Sequence, residues 1–175
     1  MLQTHKSIFP LLLASVVAAT GALSQPHFPV LQGRSLERVD VAIPQELPGQ
    51  LKLIVFGFER EHQSDINTWI PRCEALERQV SGFRFFEVPF LAGRYRLFRP
   101  WIDGGMRRGI SDPAARKRTI TVYGGRSAAM KQLGVEDLGM IHLFLIAPAG
   151  EILWKSEGPW SLQKEKSLRA VLEVS

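Results

Sequence analysis

An α/β fold, a central mixed sheet with flanking helices and a C-terminal β-hairpin plus helix, is predicted by three features of this sequence. Leu51 to Phe58 is a near-continuous apolar run after turn residues, as expected of a strand buried on both faces. Ile66, Trp69, Ile70, Cys73, Leu76 and Val80 then recur at spacings of three and four, the stripe of a helix. Near the end, Met140 to Ala147 and Glu151 to Lys155 flank the turn Pro148-Ala149-Gly150, which is the pattern of a hairpin.

Before the fold comes a segment with the marks of export. Ser7 to Leu23 carries no charge, Ile8 to Ala19 forms an apolar centre, and Ala22-Leu23-Ser24 offers small residues for cleavage. Residues 1–24 are therefore expected to be a signal peptide and the chain to be exported, as to a periplasm. The alternative is an inner-membrane anchor through residues 7–24, although a span needs about 20 apolar residues and Pro10, Thr20 and Gly21 interrupt this run. Residues 25–50, with Pro26, Pro29, Pro44, Pro48 and Gly49, read as an irregular lead, and 51–175 as one domain.

The elements follow in order. Leu51–Phe58 is the central strand, and Ser64 or Asp65 caps a helix to about Val80 that Pro71 should kink. Phe83 to Val88 and Thr119 to Tyr123 read as strands, and Ser127 to Leu133 as a short helix. After the hairpin, Gly158-Pro159 is a break. Leu162, Leu168, Val171, Leu172 and Val174 then mark a closing amphipathic helix whose Lys164, Glu165, Lys166 and Arg169 point outward.

Helices between early strands followed by a hairpin and a last helix give parallel crossovers ending in an antiparallel edge pair. In this order the chain resembles the thioredoxin-like superfamily. That superfamily places a redox pair at the start of its first long helix and a proline eight residues after the first cysteine. If Pro71 is that proline, the redox positions are Gln63 and Ile66, and neither supplies a thiolate. The superfamily's cis-proline position falls near Met140-Ile141 and is also changed. The chain has one cysteine, Cys73, which lies on the apolar stripe more than two turns from the helix start and is expected in the core.

A narrower resemblance rests on Gln63-Ser64 through Trp69-Ile70-Pro71, on Met106-Arg107-Arg108, and on Gly139 to Leu145 followed by Ile152-Leu153-Trp154 and Gly158. In these the chain looks like the mitochondrial ATP synthase assembly factors, from about Leu47 to Val174, with Leu153 in place of a basic residue and Ala147 in place of an acidic one. The resemblance implies a non-catalytic, chaperone-like part in building a membrane complex.

Candidate site residues fall into two groups. Arg60, Glu61, His62 and Gln63 stand at the start of the long helix; Glu59, Glu61, His62 and Asp65 match no usual metal-ligand spacing, so no metal and no cofactor is expected. His142 alternates along a strand as a structural residue does, and His27 lies in the lead. The second group belongs to a basic insertion at about 90–118. From Arg94 to Arg118, eight basic residues (Arg94, Arg96, Arg99, Arg107, Arg108, Arg116, Lys117, Arg118) face Asp103 and Asp112, a local excess of +6. Without residues 1–24 the chain holds 21 basic and 17 acidic side chains, +4, so the rest is slightly acidic. Tyr95, Leu97, Phe98, Trp101 and Ile102 are interleaved. This composition suits an anionic membrane surface or an acidic protein partner. The other reading packs the aromatics on the core and leaves the arginines in water. Export and the mild net charge exclude nucleic acid as the expected partner. Two functions stand side by side: a binding or assembly protein acting on a membrane complex, and an enzyme with a thiol-independent site around Arg60 to Gln63.

Overall fold

A computed structural model describes residues 26–174, so the expected signal 1–24 and the alternative anchor lie outside the described residues. Among the described residues no helix is long and apolar enough to cross a membrane. The strands are β1 (Leu31–Ser35), β2 (Asp40–Ile43), β3 (Leu51–Gly57), β4 (Phe83–Leu91), β5 (Ile120–Tyr123), β6 (His142–Ile146) and β7 (Ile152–Glu157). The helices are α1 (Gln63–Gln79), α2 (Arg99–Gly109), α3 (Pro113–Arg118), α4 (Arg126–Leu133) and α5 (Leu162–Leu172), with 3-10 turns at Arg60–His62 and Gly93–Phe98.

All seven strands form one sheet in the order β2-β1-β5-β4-β3-β6-β7. β3, β4 and β5 run parallel, and β6 and β7 close one side antiparallel. β3 is buried along its whole length, as its unbroken apolar run requires, because helices cover both faces. One layer sets Leu53, Val55, Phe85, Leu143 and Leu145 against Trp69, Cys73 and Leu76 of α1 and Leu168 and Leu172 of α5. The other sets Ile54, Phe56, Val88, Phe90 and Phe144 against Ala129, Met130 and Leu133 of α4. Each valine, leucine, isoleucine, phenylalanine or methionine among them contributes about 1.5–3 kcal/mol by leaving water.

Several expectations are corrected here. The lead at 25–50 is not irregular. β1 and β2 form a hairpin, and β1 pairs antiparallel with β5 through Gly33 to Ser35. His27 is tied as well, since it bridges Glu151 and the neighbouring Phe28 N–H donates to Gly150 O at 2.9 Å. The long helix starts one residue before Ser64, without a side-chain cap, and Pro71 sits inside it without ending it. In α5, Leu168 and Leu172 face the core, but Leu162 and, just beyond the helix, Val174 are exposed. The basic insertion is the crossover between the parallel neighbours β4 and β5, the connection such a pair requires.

Candidate functional site

The parallel register sets Gly57, the last residue of β3, beside Pro89 of β4. The turn before α1 and the basic crossover therefore leave the sheet at the same end, the carboxyl end of its parallel strands, where α/β sheets present their sites. Gly57 makes room there: a Cβ on it would stand 3.1 Å from Ile66 Cδ1. Ile66 consequently lies against the strand end and is buried.

Gln63 opens α1 and is exposed. Its Nε2 donates to Asn67 Oδ1 at 3.0 Å and to Glu87 Oε2 at 3.4 Å. The first turn of α1 thus holds an amide bridging to a carboxylate and a buried alkyl group. Cys73, two turns on, is fully buried in the α1 layer. Burial, with Glu77 and Glu87 nearby, pushes its thiol far above the usual range, which disfavours the thiolate that exchange chemistry needs.

The polar head around this end is divided. Glu59, Arg60 and Glu61 are exposed. His62 is not, which corrects its place on the expected surface: its ring turns inward, Nδ1 accepts the Phe58 N–H at 3.1 Å, and the ring meets Phe58 edge-on. Among the described residues no three His, Cys, Asp or Glu side chains gather as a metal site would need. His142 is buried, with Nε2 2.7 Å from the Asp137 carbonyl.

The sequence did not signal the polar centre beneath this end. Glu87 of β4 is buried, and burial raises its carboxyl above the ordinary range, while the Gln63 bond and Arg118 pull it back. Arg118 Nε stands 3.7 Å from Glu87 Oε1, Nη2 donates to Glu74 Oε1 at 3.0 Å, and the guanidinium lies 4.5 Å over the Phe85 ring. Glu87 sits within an apolar strand reading, Phe-Arg-Phe-Phe-Glu-Val, and that interruption was the available signal. A cavity of about 770 Å³, lined by Val135, His142, Phe144, Lys155, Glu157 and Lys164 among others, opens beside β6 and β7 and was not foreseen either.

In the basic crossover the second of the two readings, aromatics on the core and arginines in water, does not hold. Tyr95, Leu97, Phe98 and Trp101 are exposed, whereas four of the eight basic residues are held. Arg107 donates to the Leu36 carbonyl at 2.8 Å and to Glu37 at 3.3 Å, Arg116 also pairs with Glu37, and Arg118 is engaged as above. Arg99 pairs with Asp103 at 3.2 Å and lies over the Tyr123 ring. Arg94, Arg96 and Arg108 are exposed and have no carboxylate partner among the described residues.

Installing cysteines tests the assignment of the redox positions. Positions i and i+3 of a helix have Cβ atoms about 5–6 Å apart, and a small backbone shift in the first turn brings them to the roughly 4 Å that a disulfide needs. Q63C/I66C is expected to form one under mild oxidation, while Cys73 reacts with a thiol reagent only after unfolding. Free thiols at 63 and 66 in the oxidised folded protein would count against the assignment.

No protein-family model matches the sequence, and the comparison with curated proteins found no match. Solved structures are similar to it. The chain is similar to the thioredoxin domain of a thiol-disulfide oxidoreductase from Bacteroides vulgatus, at 14% identity and a TM-score of 0.58, over 86% of this chain and 99% of that one. It is similar to a member of the Sco family of cytochrome c oxidase assembly proteins, at 12% identity and a TM-score of 0.59, over 87% and 96%. A thiol:disulfide interchange protein from a Bacteroides species is also similar, at 15% identity and a TM-score of 0.54, over 85% and 88%. The fold is thioredoxin-like.

Proposed function

We propose that this chain is an exported, non-redox thioredoxin-fold protein that acts by binding, as a chaperone-like assembly factor for a membrane protein complex. One observation carries the reading. The end of the sheet where the fold's thiol pair would stand holds Gln63 and buried Ile66, and the only cysteine of the chain is sealed in the core. A surface stripped of its nucleophile retains recognition, and Arg60, Glu61 and Gln63 present charge and amide groups to a protein client there. The resemblance of Trp69-Ile70-Pro71 and of the Gly139 to Gly158 region to the mitochondrial ATP synthase assembly factors makes an ATP synthase-like complex the first client to test. The similar Sco-family protein, named for cytochrome c oxidase assembly, lends the fold a precedent for such work.

The test is an affinity pull-down from detergent-solubilised membranes. The wild-type chain is expected to retain a membrane complex and R60A/E61A/Q63A to lose it. Recovery of no membrane protein by the wild type would sink the reading. A thiol-independent enzyme is the second reading, favoured by the buried Glu87 carboxyl next to Gln63; it expects a catalytic loss in E87Q with client retention unchanged.

A further inference from the structure

The turn Gly93–Phe98 and the first helix of the crossover carry an unusual surface. Leu97 is 89% exposed, Trp101 80% and Phe98 54%, on a protein whose other large apolar side chains are mostly in the two layers. In a 3-10 turn, positions three apart eclipse, so Arg94 shares a side with Leu97 and Tyr95 with Phe98. In α2, Trp101 and Arg108 are seven apart and fall on one stripe, with Gly105 between them. The inward side of α2 holds Ile102, Asp103, Met106 and Arg107.

Charge on the outward side has one sign. Both acids of the crossover are committed elsewhere: Asp103 accepts from Arg99 and, at 2.8 Å, from the Tyr123 hydroxyl, and Asp112 caps α3 through Ala114 and Ala115 N–H. What points to solvent is therefore Leu, Phe, Trp and Tyr with Arg94, Arg96 and Arg108. Gly105 and Gly109 add no bulk to this ridge: a Cβ on either meets nothing within 4 Å.

We infer that this ridge seats the protein on a bilayer bearing anionic phospholipid, with Leu97, Phe98 and Trp101 entering the headgroup boundary and Arg94, Arg96 and Arg108 on the lipid phosphates. Aromatic and aliphatic side chains flanked by arginine, on short helical elements without free backbone edges, are the interfacial combination. Charge complementarity selects anionic lipid, since each basic residue near such a surface adds about 1 kcal/mol, roughly fivefold in partitioning. The inference goes beyond the assembly reading and is independent of it: it names the surface that holds the protein beside a membrane, whichever client it serves.

Vesicle co-sedimentation of the processed chain, residues 25–175, tests it, with phosphatidylcholine alone and phosphatidylcholine mixed with phosphatidylglycerol. Binding to the mixed vesicles, weakened by salt, is expected, and R94E/R96E/R108E should lose on the order of a hundredfold, from three such increments. G105E places an acid on the ridge in open space, so it is expected to weaken binding while circular dichroism and the unfolding midpoint stay as in the wild type. Brominated lipid should quench wild-type fluorescence and not that of W101A beyond background. Equal binding to both vesicle types, no binding to either, or unchanged binding by G105E overturns the inference. Loss of vesicle binding together with intact client capture in detergent leaves the assembly reading standing; vesicle binding without any client does the reverse.

Discussion

Trp69→Ala is expected to cost about 4 kcal/mol of folding free energy, and Trp69→Phe about 2 kcal/mol. Trp69 is buried in the α1 layer, its ring meets Trp154 edge-on at 6.3 Å between centroids, and its Nε1–H donates to Gly158 O at 3.1 Å. It therefore ties α1 to the end of β7 by packing and by one polar contact. The alanine variant opens a large cavity and leaves a buried carbonyl without its donor. The phenylalanine variant keeps most of the volume and loses mainly the bond. Urea unfolding midpoints at unchanged slope separate the two. If Trp69→Phe cost no stability, the hydrogen bond to Gly158 would carry nothing; if both variants lost the same, the packing would carry nothing.

Arg118→Met is expected to destabilise by about 3–5 kcal/mol near neutral pH, because the buried Glu87 carboxyl loses its cation and must either stay charged without it or take up a proton. Side-chain exposures of 15% for Arg118 and 7% for Glu87 place the pair inside, so solvent screening discounts it little. Removing both charges in R118M/E87M is expected to recover most of the loss, since two well-packed apolar groups do without the desolvation that each ion suffers. The pH dependence follows from burial, the main cause of the raised Glu87 carboxyl. A carboxyl raised in the folded state binds more protons there than in the unfolded chain, so stability falls as pH rises above its ordinary value of 4.5. Without Arg118 the carboxyl rises further, and the fall continues to higher pH. E87Q should lack this slope. Parallel pH profiles for wild type and R118M would contradict the pairing.

Both predictions concern contacts that differ in how far the sequence disclosed them. Trp69 was legible as a core residue, because the three-and-four spacing from Ile66 to Leu76 is a local property of one helix. Its bond to Gly158 was not, because 89 residues separate the partners. Glu87 and Arg118 lie on either side of a crossover, and nothing in their local sequence sets one against the other. The basic segment was visible as composition, yet composition assigns no direction to a side chain. Glu37, from the lead that had read as irregular, decided which arginines turn inward by drawing Arg107 and Arg116 to itself. The strands of the lead leave little local trace because they are short and draw their pairing from β5, far along the chain. The alternation of Leu31, Gly33 and Ser35 was the only local sign of it.

By itself the sequence determined the buried central strand, the amphipathic long helix, the terminal hairpin and the absence of a thiol pair, since apolar period and residue identity are properties of neighbouring positions. Only the tertiary structure decided that Ile66 is buried against the end of β3, that His62 faces inward, and that Leu97, Phe98 and Trp101 face out. Those outcomes depend on which distant groups compete for burial and for each charge, and that competition exists only once the sheet has brought the lead, the crossover and α1 together.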